Sequence, residues 1–297
     1  MRVLISGASG LLGSALTRAL RAQGDDPVAL VRRAPASGEV QWDPDRPLDP
    51  AKLEACDAIV HLAGKNIAGV WTAKFKQEVR DSRVKGTRTL ATAAAESYRR
   101  SGKPQVFVSA SGAGYYGDRG DELLTEESSA GTGFLAGVSE VWEAATAPAR
   151  DAGVRVVCLR IGVVLARDGG ALKPMLLPFR LGVGGRVGSG RQWWSWIALE
   201  DVIGAIVFAL QNDTLRGAVN AVAPEPVRNL EFTRALGREL HRSTIFPLPE
   251  FVVRGVLGDM GKELLLTSAR VVPAKLSAAG YAFRYTSLQE ALRSALM

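Results

Sequence analysis

Cysteine and histidine are scarce in this chain: 297 residues hold two of each, Cys56, Cys158, His61 and His241. So few thiols and imidazoles, so far apart, exclude a disulfide framework and any ordinary zinc site. Long apolar runs are missing as well, so no segment reads as a membrane span. The N-terminus starts directly on a strand pattern, without the layout of a signal peptide. A cytoplasmic protein with no metal and no membrane partner is the expectation. Internal repeats and low-complexity tracts are absent too. The formal charge of +7 invites a nucleic-acid reading, but the arginines are interspersed with acids. The densest cluster, "YRRSGK" at Tyr98 to Lys103, reads as the polar end of a helix. Nucleic acid is therefore not expected; an anionic small molecule matches the surplus charge better. Nothing in the pattern specifies an oligomer.

What the chain does have is glycine in the right place. Val3, Leu4 and Ile5 form a short apolar run, and Leu11, Leu12, Ala15, Leu16, Ala19 and Leu20 recur at helical spacing. Between them lies "SGASGLLG", Ser6 to Gly13, spaced G-x-x-G-x-x-G. A strand-to-helix turn aims free N–H groups and the positive end of the helix dipole outward, an environment that suits a pyrophosphate. Gly7 then serves the tight turn, Gly10 the approach of phosphate and Gly13 close helix packing, with Ser9, Leu11 and Leu12 completing the cradle.

Further apolar runs, "PVALVRR", "EVQWDPD", "DAIVHLAG", "QVFVSASG" and "VRVVCLRIGVVL", close on small or polar residues. Helical stretches at Ala73 to Ser97 and Phe134 to Asp151 separate the later ones. This order predicts an α/β fold, a Rossmann-type doubly wound parallel sheet over 1–165. A smaller C-terminal α/β lobe is expected over 166–297, with a segment near 200–223 returning to the first domain. Ligands on such sheets lie beyond the carboxyl ends of the strands, so Ser6, Arg32, Leu62 and Ser109 face one crevice. The second strand ends in Arg32 and Arg33 where an NAD protein carries an acid. A guanidinium there suits the 2′-phosphate of NADP, with Arg32 the first choice and Arg33 the second.

The glycine turn, "VHLAG", "SRVKGT", "SASGAGYYG" and "GSGRQWWSWIALEDV" together resemble the extended short-chain dehydrogenase/reductase superfamily. The tail "FPLPEFVVRGVLGDMGKELLLTSARVVPAKLSAAGYAF" is similar to the C-terminal domain of its "epimerase family" branch. That likeness spans essentially the whole chain. It implies NADP as cofactor, with Leu62 and Ala63 near it, Arg83 where relatives usually have asparagine, Glu78 shortly before, and Leu165 as an apolar contact. Glu78 and Leu165 rest on the resemblance alone.

The superfamily's chemistry normally rests on a Tyr-x-x-x-Lys pair, and this chain has none. Four residues after Tyr98, Tyr115, Tyr116, Tyr281 and Tyr285 stand Gly102, Arg119, Gly120, Tyr285 and Gln289. Judged from the "WE" of "FLAGVSEVWEAA", the two positions are Leu135 and Ser139. The remaining candidates are Ser111, to polarise a substrate oxygen, and Tyr115 or Tyr116, to donate a proton if a cation such as Lys65 lowers the phenol pKa. His61 reads as a core or sheet-end histidine rather than an acid/base group, since it alternates away from Leu62. The stretch "RLGVGGRVGSGRQWWSW" suggests a loop over the crevice, with Trp193, Trp194 and Trp196 as flat apolar surface and Arg186 or Arg191 as charge; the same tryptophans equally suit packing of the smaller lobe. Two functions follow: an NADP(H)-binding oxidoreductase or epimerase-like enzyme acting on a small molecule, such as a nucleotide sugar, or a non-catalytic NADP(H)-binding sensor or assembly protein.

Overall fold

Alternate residues of the first strand, β1 (Arg2–Ser6), face opposite ways: Val3 and Ile5 enter one core cluster and Leu4 the other. A strand buried on both faces belongs inside a layered sheet. In the computed structural model, which describes residues 1–297, β1 lies near the middle of seven parallel strands. The others are β2 (Asp26–Val31), β3 (Val40–Gln41), β4 (Ala58–His61), β5 (Val106–Gly112), β7 (Arg155–Ile161) and an edge strand, Gly217–Ala221. A two-residue strand, β6 (Leu123–Leu124), lies outside this sheet and pairs with Arg270–Val271. The main sheet runs β3, β2, β1, β4, β5, β7, Gly217–Ala221. Strand order therefore reverses at β1, and a crevice opens beyond the carboxyl ends of β1 and β4.

Helices cover both faces. On one, α1 (Leu11–Ala22) and the helix Leu199–Gln211 pack Leu16, Leu20, Val202 and Ile206 against Val3, Ile5, Val60 and Val108. On the other, α2 (Ala73–Ser101) sets Leu90, Ala91 and Ala94 against Leu4, Ile59 and Phe107. Each fully buried leucine, isoleucine or valine stabilises the fold by about 1.5–3 kcal/mol. The long helix α2 starts at Thr72, whose hydroxyl accepts the Phe75 N–H at 3.1 Å, and stops at Gly102, where φ is +71°.

Two expected elements are each divided in two. The helix expected over 134–151 is α3 (Phe134–Ala144) followed by Ala147–Asp151, because Pro148 lacks an N–H and opens a new first turn. The strand expected from Val154 ends at Ile161 and resumes as Val163–Ala166 in a three-stranded sheet with Trp196–Ala198 and Gly169–Gly170. Gly162 marks the break: a Cβ there would overlap the Ser195 carbonyl oxygen. That second sheet and the helices Leu172–Arg180, Asn229–Glu239 and Leu288–Leu296 enclose a separate core around Trp196, Phe232 and Leu292. The intervening helix Leu199–Gln211 and strand Gly217–Ala221 belong to the main sheet and its cover. No helix is long and apolar enough to cross a membrane.

Candidate functional site

The glycine turn rests on the end of β4. Gly7 has φ of +72°, and a Cβ on it would fall 2.9 Å from the Ala63 nitrogen. The Gly10 N–H donates to the Gly7 carbonyl at 2.9 Å and closes the turn. Gly10 is the N-cap of α1 in extended conformation, and no side chain caps the helix. The N–H groups of Leu11, Leu12 and Gly13 are therefore open toward the crevice, beside an exposed Ser9. Gly13 packs against the turn itself: a Cβ there would overlap the Gly7 carbonyl oxygen and lie 2.7 Å from the Ala8 Cα.

Cations around this turn differ in how they are matched. Arg33, the second choice for a 2′-phosphate, forks onto both carboxylate oxygens of Glu39 at 2.7 Å, so its charge is already met. Arg32 is exposed at the end of β2 without a carboxylate partner. Lys65 pairs with Glu78 and lies 4.8 Å from the Phe75 ring centroid; Glu78 in turn is held below its usual carboxylate range by that lysine. Lys65 is thus spoken for, which corrects its expected place beside the tyrosines. Arg83 donates to the Lys65 and Val79 carbonyls and stacks on Trp142 at 4.9 Å, with no acid in reach. Burial pulls its pKa down to about 10, the mark of a cation short of counter-charge.

His61 closes β4 beneath the crevice, fully buried, as its alternation predicts. Ser6 Oγ accepts the Leu62 and Ala63 N–H groups at 3.2 and 3.3 Å, so its own proton goes to His61 Nδ1 at 2.6 Å. The imidazole proton is then on Nε2, which has no hydrogen-bond partner and lies beside Trp42. Burial, with a smaller push from Arg83, lowers the His61 pKa to about 3. Folded His61 therefore stays neutral while unfolded His61 takes up a proton below its ordinary 6.5. Its contribution to stability is complete above pH 6.5 and falls as the pH drops toward 3. At about 1.4 kcal/mol per pH unit, the wild-type protein will lose about 2 kcal/mol more than His61→Asn between neutrality and about pH 5, read from urea midpoints. Parallel losses in the two proteins would contradict a neutral His61.

The hydroxyls near the end of β5 separate into used and free. Ser109 is buried and donates to the Ala110 carbonyl at 3.1 Å. Ser111, expected to face substrate, is turned to α3 and donates to Glu143 Oε1 at 2.7 Å. Tyr116 is fully buried; its hydroxyl donates to Asn220 Oδ1 at 2.7 Å and accepts from Arg160 at 3.0 Å. Burial pushes the Tyr116 phenol up against the opposing effect of Arg160, so it stays protonated with its proton directed to Asn220. The β-strand period explains the pair of serines: Ser109 and Ser111 share with Phe107 the face that carries α2 and α3. Tyr115 alone is only partly buried, and its hydroxyl makes no hydrogen bond to protein. Glu143 and Arg160, unassigned from sequence, form a forked ion pair at 2.8 and 2.9 Å. A charged residue inside the apolar run "VVCLRI" was the available signal for Arg160.

The smaller lobe reaches over this region. Glu263 accepts the Phe134 and Leu135 N–H groups at 2.7 and 2.8 Å, capping α3, whose own N-cap, Gly133, has no side chain to do so. Lys76 pairs with Asp259 at 2.6 Å, and Trp71 meets Phe134 edge to face at 5.0 Å. Leu135 packs on Gly114, and Ser139 is buried. Of the two readings of the tryptophan stretch, packing of the smaller lobe is the one present for Trp194 and Trp196. Trp194 and Trp196 are buried in the smaller lobe's core, and Trp193 is clasped by Arg228 and Arg270. Arg186 turns back to the Gly188 carbonyl, and Arg191 points to solvent. Leu165, expected against a cofactor, is 1% exposed among the same core residues, so its side chain is taken up by protein.

Residues 3–221 match the NAD dependent epimerase/dehydratase family, and residues 248–295 match a domain of unknown function, DUF1731. An epimerase family protein of Mycobacterium tuberculosis is 46% identical over 98% of this chain and 96% of its own length. The crystal structure of the human epimerase family protein SDR39U1 with NADPH superposes with a TM-score of 0.90, at 36% identity, over 99% of each chain. That of a nucleoside-diphosphate sugar epimerase from Corynebacterium glutamicum gives 0.82 at 39% identity, over all of this chain and 58% of the other. With its parallel sheet, open glycine turn and C-terminal lobe, the chain belongs to the NAD dependent epimerase/dehydratase family.

Proposed function

We propose that this protein binds NADP(H) and performs oxidoreductase or epimerase-like chemistry on a small molecule held in the crevice. The observation that carries the reading is Arg32, an unmatched cation at the end of β2, while neighbouring Arg33 is neutralised by Glu39. The residues present fit the cofactor. Open N–H groups of Leu11, Leu12 and Gly13, with Ser9 and Gly10, take the pyrophosphate, and Gly7 shapes the turn. Arg32 takes the 2′-phosphate; Leu62 and Ala63 line the adjoining strand end, and Arg83, lacking an acid, adds positive charge beside them. Glu78 is available to ribose hydroxyls once it parts from Lys65. When bound, the nicotinamide supplies hydride transfer. Tyr115 holds the proton that must move with it, being the one candidate hydroxyl there without a protein partner. The activity named for the C. glutamicum protein makes a nucleoside-diphosphate sugar the first substrate class to try.

The test is nucleotide preference. NADPH will raise the melting temperature more than NADH at equal concentration, and Arg32→Ala will erase most of the difference. One charge-assisted contact is worth about 1.5–3 kcal/mol, or about one to two decades in affinity. Equal stabilisation by both nucleotides would remove Arg32, and NADP with it. A second reading, a non-catalytic NADP(H)-binding protein, is favoured by Leu135 and Ser139 standing where the wider superfamily normally has its Tyr-x-x-x-Lys pair. Tight NADPH binding without turnover across carbonyl compounds and nucleotide sugars would select it.

A further inference from the structure

The chain lacks the Tyr-x-x-x-Lys pair normal to the wider superfamily, yet Tyr115 has a cation of its own. The Arg160 guanidinium carbon lies 3.4 Å from the Tyr115 ring centroid, closer than to any other aromatic ring it faces. Arg160 comes from β7, 45 positions along the chain from Tyr115, so sequence spacing gives no hint of the pair. Its three nitrogens are all engaged: two fork onto Glu143 and the third donates to Tyr116. The stacked guanidinium is therefore held rigidly, and the ring it covers is held with it. Burial works against the Arg160 charge, but Glu143 more than offsets it, so the guanidinium is charged at every accessible pH.

We propose that Arg160 is the positioning cation of Tyr115 and that Glu143 sets how much of its charge the phenol feels; this rests on the reading of Tyr115 as the proton-transfer group. A cation against the ring favours the phenolate, and a carboxylate forked onto that cation returns the balance toward the phenol. In this arrangement Tyr115 gives its proton to a substrate oxygen, becoming phenolate beside Arg160, and regains it from solvent at the crevice. Of the other titratable groups around the Ala113–Tyr116 turn, Tyr116 meets Tyr115 edge to face at 5.3 Å and Glu263 is taken up by the N–H groups of Phe134 and Leu135. Glu140 on α3 is exposed, Tyr116 is protonated and buried, Glu126 faces the Asn220 N–H, and Arg270 stacks on Trp193.

Tyrosinate absorbance, titrated with pH on the full chain, tests this. The difference between wild type and Tyr115→Phe isolates the Tyr115 midpoint. Glu143→Gln keeps the shape of the carboxylate and a hydrogen bond to Ser111 but leaves Arg160 uncompensated. It will lower that midpoint by about one pH unit or more. The double variant Glu143→Gln/Arg160→Gln removes both charges and will return the midpoint to the wild-type value or above it. A role confined to packing would move both variants the same way, toward the value of free tyrosine. An unmoved midpoint in Glu143→Gln overturns the proposal. NADPH-dependent turnover is a separate measurement: full activity in Tyr115→Phe would overturn the underlying assignment of Tyr115, whatever the titration gives.

Discussion

Gly13→Ala will lose NADPH binding together with much of its stability, whereas Gly10→Ala will fold normally and lose affinity alone. The two glycines are three residues apart in one turn, but their surroundings differ. A Cβ at Gly13 overlaps the Gly7 carbonyl oxygen and crowds the Ala8 Cα, both of them backbone, so α1 must move off the turn. Overpacking of this kind costs about 1–3 kcal/mol even where side chains can yield, and backbone yields less. A Cβ at Gly10 meets only the Gly7 carbonyl, at 3.3 Å, and otherwise projects into the open space before the helix. The methyl then stands where phosphate must approach the free N–H groups. Urea unfolding separates the two variants, and nucleotide titration of the folded one reads the cradle. Unchanged NADPH affinity in Gly10→Ala would show that the turn does not hold the pyrophosphate.

Arg160→Met will be the most destabilising single change in the tyrosine cluster, by about 3–5 kcal/mol, because it leaves the Glu143 carboxylate in a confined site without its partner. Ser111 continues to donate to Glu143, but one hydroxyl replaces little of a forked guanidinium. The Tyr116 hydroxyl loses a donor at the same time. Adding Glu143→Met will recover most of the loss, since a buried pair removed whole costs far less than a pair broken. Denaturant midpoints of the two single variants and the double variant close the cycle. Simple additivity of the two single losses would mean that Arg160 and Glu143 do not act as a pair.

What the amino-acid sequence determined by itself was what the backbone reads locally. The apolar run Val3–Ile5, the glycines after it and the helical spacing from Leu11 specify a strand, a turn and a helix within 20 residues, and all three are present as expected. The same local reading took His61 for a core or sheet-end residue, and it is fully buried, because strand alternation needs no knowledge of distant partners. The missing Tyr-x-x-x-Lys pair is likewise a statement about neighbours in sequence.

Only the tertiary structure decided which polar groups remain available. Arg32 and Arg33 are adjacent and chemically identical, yet Glu39 neutralises one and leaves the other. Ser111, Tyr115 and Tyr116 are alike as hydroxyl donors until Glu143, Arg160 and Asn220 arrive from α3, β7 and the edge strand and occupy two of the three. Lys65 is withdrawn to Glu78, Leu165 and two tryptophans sink into the smaller lobe, and Glu263 reaches 128 residues back along the chain to cap α3. Local periodicity sets the backbone's direction and the face each side chain takes. Hydrogen bonds and ion pairs form between whichever groups packing brings within about 3 Å, and those partners are far apart in the chain.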